Sequence, residues 1–422
     1  MRVLYLHQHL AIRKGSIGTR SFEFARLLRQ RSHEVTMLCG RNELSGLPSG
    51  ERLIERHEID GIPIIQLNVP YSQGMGFARR FVAFVWFMLL ATFVAMRERN
   101  VDLIYATSTP LTIAVPAMIG ALVKRRPFVF EVRDLWPEVP IGLGLLRNPV
   151  LITVAKLLAR LTYRRACRIV ACSPGMKDGI VRGGVSAAKV VVIPNGCDAD
   201  LFDVPEAIGR AFRAEHSYLK DRPLVVYTGA FGMVNGVDYL VRLAHRLQSR
   251  GKQVSFLLVG EGSEKERVRE LAEKLEVLGR SLWILEAVSR EQTAAVLSAA
   301  TIATSTVIPN SVLWNNSANK FFDALAAGRP VMVNHGGWLA ELLIQTGIGI
   351  VVSAEDFDSA ADVLTEFLES EARLKAARIA ARRLARDQFA RTRLAARLEE
   401  VLVEASCRMP IGPNHELAVH HD

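Results

Sequence analysis

The chain has 422 residues, half of them hydrophobic, which excludes an intrinsically disordered polymer and leaves room for two or three domains with full cores. Its five cysteines, Cys39, Cys167, Cys172, Cys197 and Cys407, form no CxxC pair and no His/Cys metal spacing, which excludes a disulfide framework and a zinc module. The net charge of +10 is unevenly spread: residues 1–200 carry 27 basic against 15 acidic side chains, and residues 201–422 carry 26 against 28.

That excess suits an anionic partner for the first half (a membrane surface, a phosphate-bearing acceptor or nucleic acid), although solvated basic faces give the same count. Nucleic acid is disfavoured, since no interleaved basic–aromatic motif or reader module is found. Residues 3–6 form a short apolar strand with no signal-peptide organisation ahead of it, so a cytosolic location is expected. A polar loop with Gly15, Ser16 and Gly18 follows, then an amphipathic helix over 19–30 and strands over 34–38 and 62–65. Strand, glycine loop, helix, strand is the opening of a doubly wound parallel sheet. The glycines do not match GxGxxG and no acidic residue closes the second strand, so NAD binding is disfavoured. The loop can still present backbone N–H groups to an acceptor or a phosphate.

Residues 81–96 are unbroken apolar sequence between arginines, short of the roughly 20 residues that cross a bilayer. They make a buried helix or one that dips into a membrane. A helix over 149–168 sets Leu151, Val154, Leu158 and Leu161 along one side and Lys156, Arg160 and Arg164 along another. It can lie among anionic headgroups or pack on the sheet with a solvated basic face. Strands over 101–105 and 128–132 lie between these helices, and the second runs into Arg133, Asp134 and Glu138. Charged residues at that end of a parallel strand lie where α/β folds hold ligands; an Arg–carboxylate brace of the loop is the alternative.

Strands over 168–172 and 189–193 precede the Pro194-Asn-Gly turn, where a domain boundary is expected. Asp198-Ala-Asp200 has DxD spacing but follows that turn, so it reads as turn chemistry and no metal site is assigned. The pattern then restarts: strand 224–227, glycine loop 228–236, helix 237–247, strand 254–259 and a second glycine turn at Gly260 and Gly262. Shorter strands follow at 281–285, 301–306 and 331–333, with a helix at 290–299 and Ala/Arg-rich helices over 359–403. Between the last two of those strands, Ser317 is a good N-cap for a short helix that Gly328 and Pro330 stop. Lys320 sits in its first turn, where the helix dipole disfavours a cation unless an anion docks there as well.

Taken as a set, Val192-Ile-Pro-Asn-Gly-Cys-Asp198, the Tyr-Thr-Gly-x-x-Gly loop at 227–232, Val259-Gly-Glu-Gly262 and Lys320-Phe-Phe-Asp-Ala-Leu-Ala-Ala-Gly-Arg-Pro-Val331 resemble family 4 retaining glycosyltransferases of GT-B fold. Phe130-Glu-Val-Arg-Asp-Leu-Trp-Pro-Glu138 is similar to the bacterial O-antigen and capsule branch, which includes L-fucosamine transferases. The resemblance implies an α/β protein of two facing Rossmann-like doubly wound domains with a cleft between them. Residues 1–195 would bind the acceptor and face the membrane, and 196–385 would bind the nucleotide sugar. A helix over 386–406 would pack back on the first domain, and 407–422 would be a loose tail.

The implied reaction moves a sugar, an N-acetylated amino sugar being one candidate, from a UDP-type donor to a polyprenyl-diphosphate-linked glycan. It would run without metal or cofactor at the anionic inner face of the plasma membrane. A sugar-nucleotide 2-epimerase of the same fold is the alternative. The family's two glutamates, eight positions apart, fall on Asn315 and Asp323 here. Asp323 can still accept from ribose hydroxyls, whereas Asn315 lacks the charge. Segment 229–236 has no basic residue where the family often has an Arg…Lys clamp, so Lys320, backed by N–H groups of Gly229 and Gly232, takes the diphosphate. Asn235, Ser317, Asn319 and Glu341 complete the expected donor set, while Arg133, Asp134 and Glu138 are expected beside the reacting hydroxyls. Many relatives have His-Asp at 133–134, so no histidine role is carried over.

Overall fold

In the computed structural model, which describes residues 1–15, 18–42, 45–48, 50–69 and 77–407, the chain forms two α/β domains, each around its own sheet. The first sheet comprises β1 (Arg2–Leu6), β2 (Glu34–Gly40), β3 (Ile54–Ile59), β4 (Ile62–Leu67), β5 (Leu103–Thr107), β6 (Phe128–Val132), β7 (Arg168–Ala171) and β8 (Val190–Val192). Their order is β3-β4-β2-β1-β5-β6-β7-β8, parallel except for the β3–β4 hairpin. Strands β1, β5 and β6 are buried almost throughout, which is why they read as continuous apolar runs. β3 is invisible to that criterion, because it is a partly exposed edge of sequence IERHEI. The Asp60-Gly61 turn, with φ of +51° and +73°, is the hairpin signal that marks it.

The helices of this domain are α1 (Arg20–Gln30), α2 (Phe77–Arg97), α3 (Ala114–Lys124), α4 (Glu138–Gly142), α5 (Pro149–Arg165) and α6 (Pro174–Arg182). The side chain of Asn148 caps α5 and that of Ser173 caps α6, each followed by a proline in the first turn. Helices α2, α3, α5 and α6 share one hydrophobic core with one face of the sheet, while α1 covers the other face.

Arg20, the first residue of α1, ties these layers together. Its guanidinium meets the Glu131 carboxylate of β6 at 2.7 Å, and both side chains are fully buried. The hydroxyls of Tyr105 and Thr107 donate to the same carboxylate at 2.9 and 2.6 Å. Burial pushes the Glu131 carboxyl up, but the charge and hydrogen bonds of Arg20 outweigh it and hold the group below its ordinary value. Arg20 also donates to the Ile193 and Pro194 carbonyls, fixing the point where the chain leaves the first domain.

The second domain begins with α7 (Ala199–Phe202) and α8 (Glu206–Glu215). Its sheet comprises β9 (Leu224–Thr228), β10 (Ser255–Val259), β11 (Leu282–Leu285), β12 (Ile302–Thr304), β13 (Val331–Val333) and β14 (Gly349–Val351). The order is β11-β10-β9-β12-β13-β14, parallel throughout. Around it lie α9 (Asp238–Ser249), α10 (Lys265–Lys274), α11 (Arg290–Ala299), α12 (Asn319–Ala326), α13 (Trp338–Thr346), α14 (Phe357–Glu369) and α15 (Glu371–Asp387). The chain then returns as α16 (Arg391–Cys407), whose Leu394, Leu398 and Leu402 are buried in the α1 core of the first domain. The two crossings run side by side: Cys197 N–H donates to the Phe389 carbonyl at 2.9 Å, and Arg391 N–H donates to Cys197 at 3.0 Å. The tail from 408 onward lies outside the described residues.

In each sheet the strand order reverses beside the first strand of its domain, β1 or β9, and the loops at those carboxyl ends are where such folds hold ligands.

Candidate active site

Helix α12 stands at the reversal in the second domain, the next α-helix after β12. Its opening differs from the sequence expectation. The N-cap residue is Ala318, with no side-chain cap, and not Ser317. The Ser317 hydroxyl instead accepts the Asn195 N–H at 3.0 Å, and the Ser317 carbonyl accepts the Asn195 side-chain amide. Ser317 therefore serves the hinge between domains, a demand that helix propensity cannot register. The first turn of α12 is left without a side-chain acceptor on its amides, and Lys320 lies in that turn.

The Lys320 ammonium donates to the Tyr227 hydroxyl at 2.8 Å and to Asn235 Oδ1 at 3.3 Å, and lies 4.2 Å from the centre of the Tyr227 ring. Among the described residues no carboxylate forms an ion pair with it, and burial pushes it down to about 7. Tyr227, the residue before the last of β9 and just ahead of the glycine loop, is a contact with no local signal in the sequence. The loop is shaped by close approach. A Cβ at Gly229, where φ is +142°, would lie 3.1 Å from Lys320 Cε, and one at Gly260 would lie 1.8 Å from the Gly229 carbonyl oxygen. Gly262 is pressed in the same way against the Phe231 backbone. The expected role of the Gly229 amide as a phosphate donor is corrected here, because it donates to the Val259 carbonyl at 3.0 Å. What Gly229 offers is space for Lys320. Gly232 lines a cavity of about 360 Å³, together with Val237, Ile308 and Phe357.

One turn after Lys320, the Asp323 carboxyl is raised to about 7, chiefly by burial, with Arg290 and Arg391 pulling it down and Asp198 pushing it up. Asp198 is itself held by two arginines, Arg290 and Arg391, each at 2.7 Å. Arg290, at the start of α11, also donates to Thr19 Oγ1 in the first domain at 3.4 Å. Neither arginine had a signal in the sequence, since each acquires its partners from distant segments.

The first domain meets α12 directly. A Cβ at Gly18 would lie 2.5 Å from Asn319 Nδ2, so the glycine loop after β1 abuts the α12 N-terminus. Gly15 lies in the same loop, and Ser16 lies outside the described residues. Asn315 is drawn to the first domain as well. Its carbonyl accepts the Ser173 hydroxyl at 2.7 Å, and its Oδ1 would lie 1.9 Å from a Cβ at Gly175, on the first turn of α6.

At the carboxyl ends of β1, β5 and β6, Arg133 donates to His7 Nε2 at 3.3 Å, and its backbone N–H donates to Ser108 Oγ at 3.0 Å. Burial raises the Asp134 carboxyl to about 6, partly offset by Arg133. Burial and Arg133 lower His9 to about 4, and the same two causes with His9 lower His7 well below its usual range. This chain thus carries histidines beside the Arg-Asp pair, but they come from the loop after β1. Residue spacing alone could not bring them there. Two expected residues are exposed. Glu138 is exposed at the start of α4, where its charge acts on Tyr163, and Glu341 is exposed on the first turn of α13.

The comparisons with known proteins agree with this architecture. A family model described as glycosyl transferase 4-like domain matches residues 15–196, and one described as glycosyl transferases group 1 matches residues 210–384. A GDP-mannose-dependent alpha-(1-6)-phosphatidylinositol monomannoside mannosyltransferase of Mycolicibacterium smegmatis is 27% identical over 217 residues, 51% of this chain. The chain matches 56% of the length of that relative. Among solved structures, a sucrose-phosphate synthase from Thermosynechococcus elongatus superposes with a TM-score of 0.76 at 17% identity, over 96% of this chain and 98% of its own. Anabaena HepE in complex with UDP superposes with a TM-score of 0.71 at 18% identity, over 96% and 100%. At these identities the superpositions establish the GT-B fold.

Proposed function

Two glycosyltransferase domains in series make this chain a member of the glycosyltransferases, and on that premise we propose that it transfers a sugar, with retention, from a UDP-sugar to a lipid-linked glycan acceptor. The observation that carries the donor half is Lys320: an ammonium in the first turn of α12, without a carboxylate, beside amides that no side chain caps. A diphosphate there gains the charge of Lys320 together with the N-terminal dipole of α12, and it restores the charge that burial suppresses. Asp323, one turn on, accepts from the ribose hydroxyls.

In the transfer, the bond from the anomeric carbon to the diphosphate oxygen breaks and a bond to the acceptor hydroxyl forms on the same face. The acceptor proton passes to the departing diphosphate, whose growing charge Lys320 offsets without a metal ion. Asp134, supported by Arg133, orients hydroxyls from the first-domain side. Glu138 is left out of this set by its exposure. UDP is proposed from the bacterial branch resembled, and the UDP complex of HepE supports that reading. The acceptor is proposed to be polyprenyl-diphosphate-linked and to belong to surface-polysaccharide assembly. The basic first half would then dock at the anionic inner face of the membrane, and no described helix is long and apolar enough to cross it.

Calorimetric titration with UDP, GDP and their sugars tests the reading. UDP is expected to bind wild type at least tenfold more tightly than the Lys320→Ala variant, and equal affinities would remove the diphosphate assignment. Formation of an isomerised sugar nucleotide with no acceptor present would replace transfer by 2-epimerisation.

A further inference from the structure

Exposed apolar side chains are normally scattered singly over a protein surface, and a concentration of them marks an interaction site. Of the twenty large hydrophobic residues exposed among the described ones, twelve lie on α2, α3, α5 and the loop before α5. On α2, Val82, Trp86, Leu89, Phe93 and Met96 recur at steps of four and three, one continuous stripe. The opposite face of α2, with Phe87, Ala91 and Val94, is locked in the domain core, so the helix lies flat against the sheet and cannot leave to span a bilayer. On α5 the outward stripe is Val150, Val154, Leu157 and Leu161, while Ala159 and Tyr163 face inward. The side chains that the sequence suggested for this apolar face, Leu151 and Leu158, are instead half-buried. Helix α3 packs between the two and ends in exposed Leu122 and Val123.

We propose that this α2–α3–α5 face inserts its apolar stripes into the acyl boundary of one leaflet of an anionic bilayer. It deepens the membrane-docking part of the function proposed above and rests on that part. The charge pattern selects the occupant. Across their 21, 11 and 17 residues the three helices carry eight basic side chains and no acidic one, and Lys156, Arg160 and Arg164 run alongside the α5 stripe. Lysines and arginines flanking an apolar stripe match headgroup phosphates above acyl chains. A second copy of the chain, docked face to face, would oppose the same unbalanced cations. At 1.5 Å per residue α2 is about 32 Å long, so the stripe is a platform lying along the surface.

The experiment is co-sedimentation of the full chain with vesicles of phosphatidylcholine, alone or with about 30% phosphatidylglycerol, at about 0.1 and 1 M salt. Binding to the anionic vesicles is expected, with no more than about a tenfold loss at high salt, because ionic strength screens charge and not apolar insertion. Brominated acyl chains are expected to quench emission that disappears in Trp86→Phe. Trp86→Glu with Leu157→Glu, both at exposed sites, is expected to lower partitioning at least tenfold while leaving UDP affinity unchanged. No vesicle binding, binding abolished by 1 M salt without quenching, or a dimer whose interface these two substitutions break while vesicle binding persists would each overturn the proposal. Failure of UDP binding with vesicle insertion intact would strike the transferase reading and leave this one standing.

Discussion

Lys320 and Asp323 show how burial within one helix turn brings two ionisable groups into the same pH range. Each is shifted to about 7 from opposite sides, Lys320 downward and Asp323 upward, and burial is the first cause of both. A diphosphate beside Lys320 would raise its affinity for a proton. UDP binding at about pH 8 is therefore expected to take up close to one proton, read from calorimetry in buffers of different ionisation heat, and Lys320→Met should take up none. Asp323 has a consequence for stability in the absence of ligand. Its carboxyl is raised in the folded state, so its contribution is fully present below pH 3.8, the ordinary value, and is lost as pH rises towards 7. The depressed Lys320 acts in the next window, adding stability as pH rises from about 7 towards 10.5. Asp323→Asn is expected to flatten the decline in Tm between about pH 4 and 7, and a slope identical to wild type would contradict this account. The presence of Lys320 in a first turn was legible in the sequence. Its neighbours Tyr227 and Asn235 were not assigned to it, because contact across 93 and 85 positions leaves no local trace.

At the scale of elements, strands and helices with a strong apolar period are legible, and the exceptions have identifiable causes. β3 is a partly exposed edge that carries no apolar run, and β14 begins on Gly349 directly after the Gly347 turn, which hides its short apolar stretch. The start of α12 shifts by one residue because Ser317 is claimed by Asn195. The glycine turns after β9 and β10 pack as one element: the backbone at Gly229 and Phe231 leaves no room for side chains at Gly260 and Gly262. Gly260→Ala would place a Cβ 1.8 Å from the Gly229 carbonyl oxygen, so it is expected to cost roughly 2–3 kcal/mol in urea unfolding. It should also weaken UDP binding through displacement of the segment beside Lys320. Gly251→Ala is the matched control: a positive φ of +70° in open space, expected to cost about 1 kcal/mol and to leave UDP affinity unchanged.

For the whole molecule, the decisive feature is that the described chain crosses between domains twice and that α16 returns to the domain where the first crossing began. α16 supplies Leu394, Leu398 and Leu402 to the first-domain core, all fully buried. Leu398→Ala is expected to destabilise by about 3 kcal/mol while UDP affinity stays within about twofold, because the Lys320 site lies in the other domain. Breaking the buried Arg20–Glu131 pair should cost more. Glu131→Gln is expected to remove about 3–5 kcal/mol, since Arg20 would keep a buried charge without its partner. That variant would also loosen the carbonyls of Ile193 and Pro194 at the first crossing, so it should alter acceptor turnover more than donor binding.

By itself the sequence determined the two doubly wound halves and the glycine loops that open them, because periodicity and turn chemistry are local properties. It also singled out Lys320 as a cation in need of an anion, since the polarity of a helix end follows from its backbone. Only the tertiary structure decided the partners. It moved Ser317 to the hinge, spent the Gly229 amide on Val259, set His7 beside Arg133 and left the outer stripes of α2 and α5 exposed on helices that flank α3. The contacts among these join segments far apart in the chain, and the burial that shifts Lys320 and Asp323 exists only once the chain has packed around them.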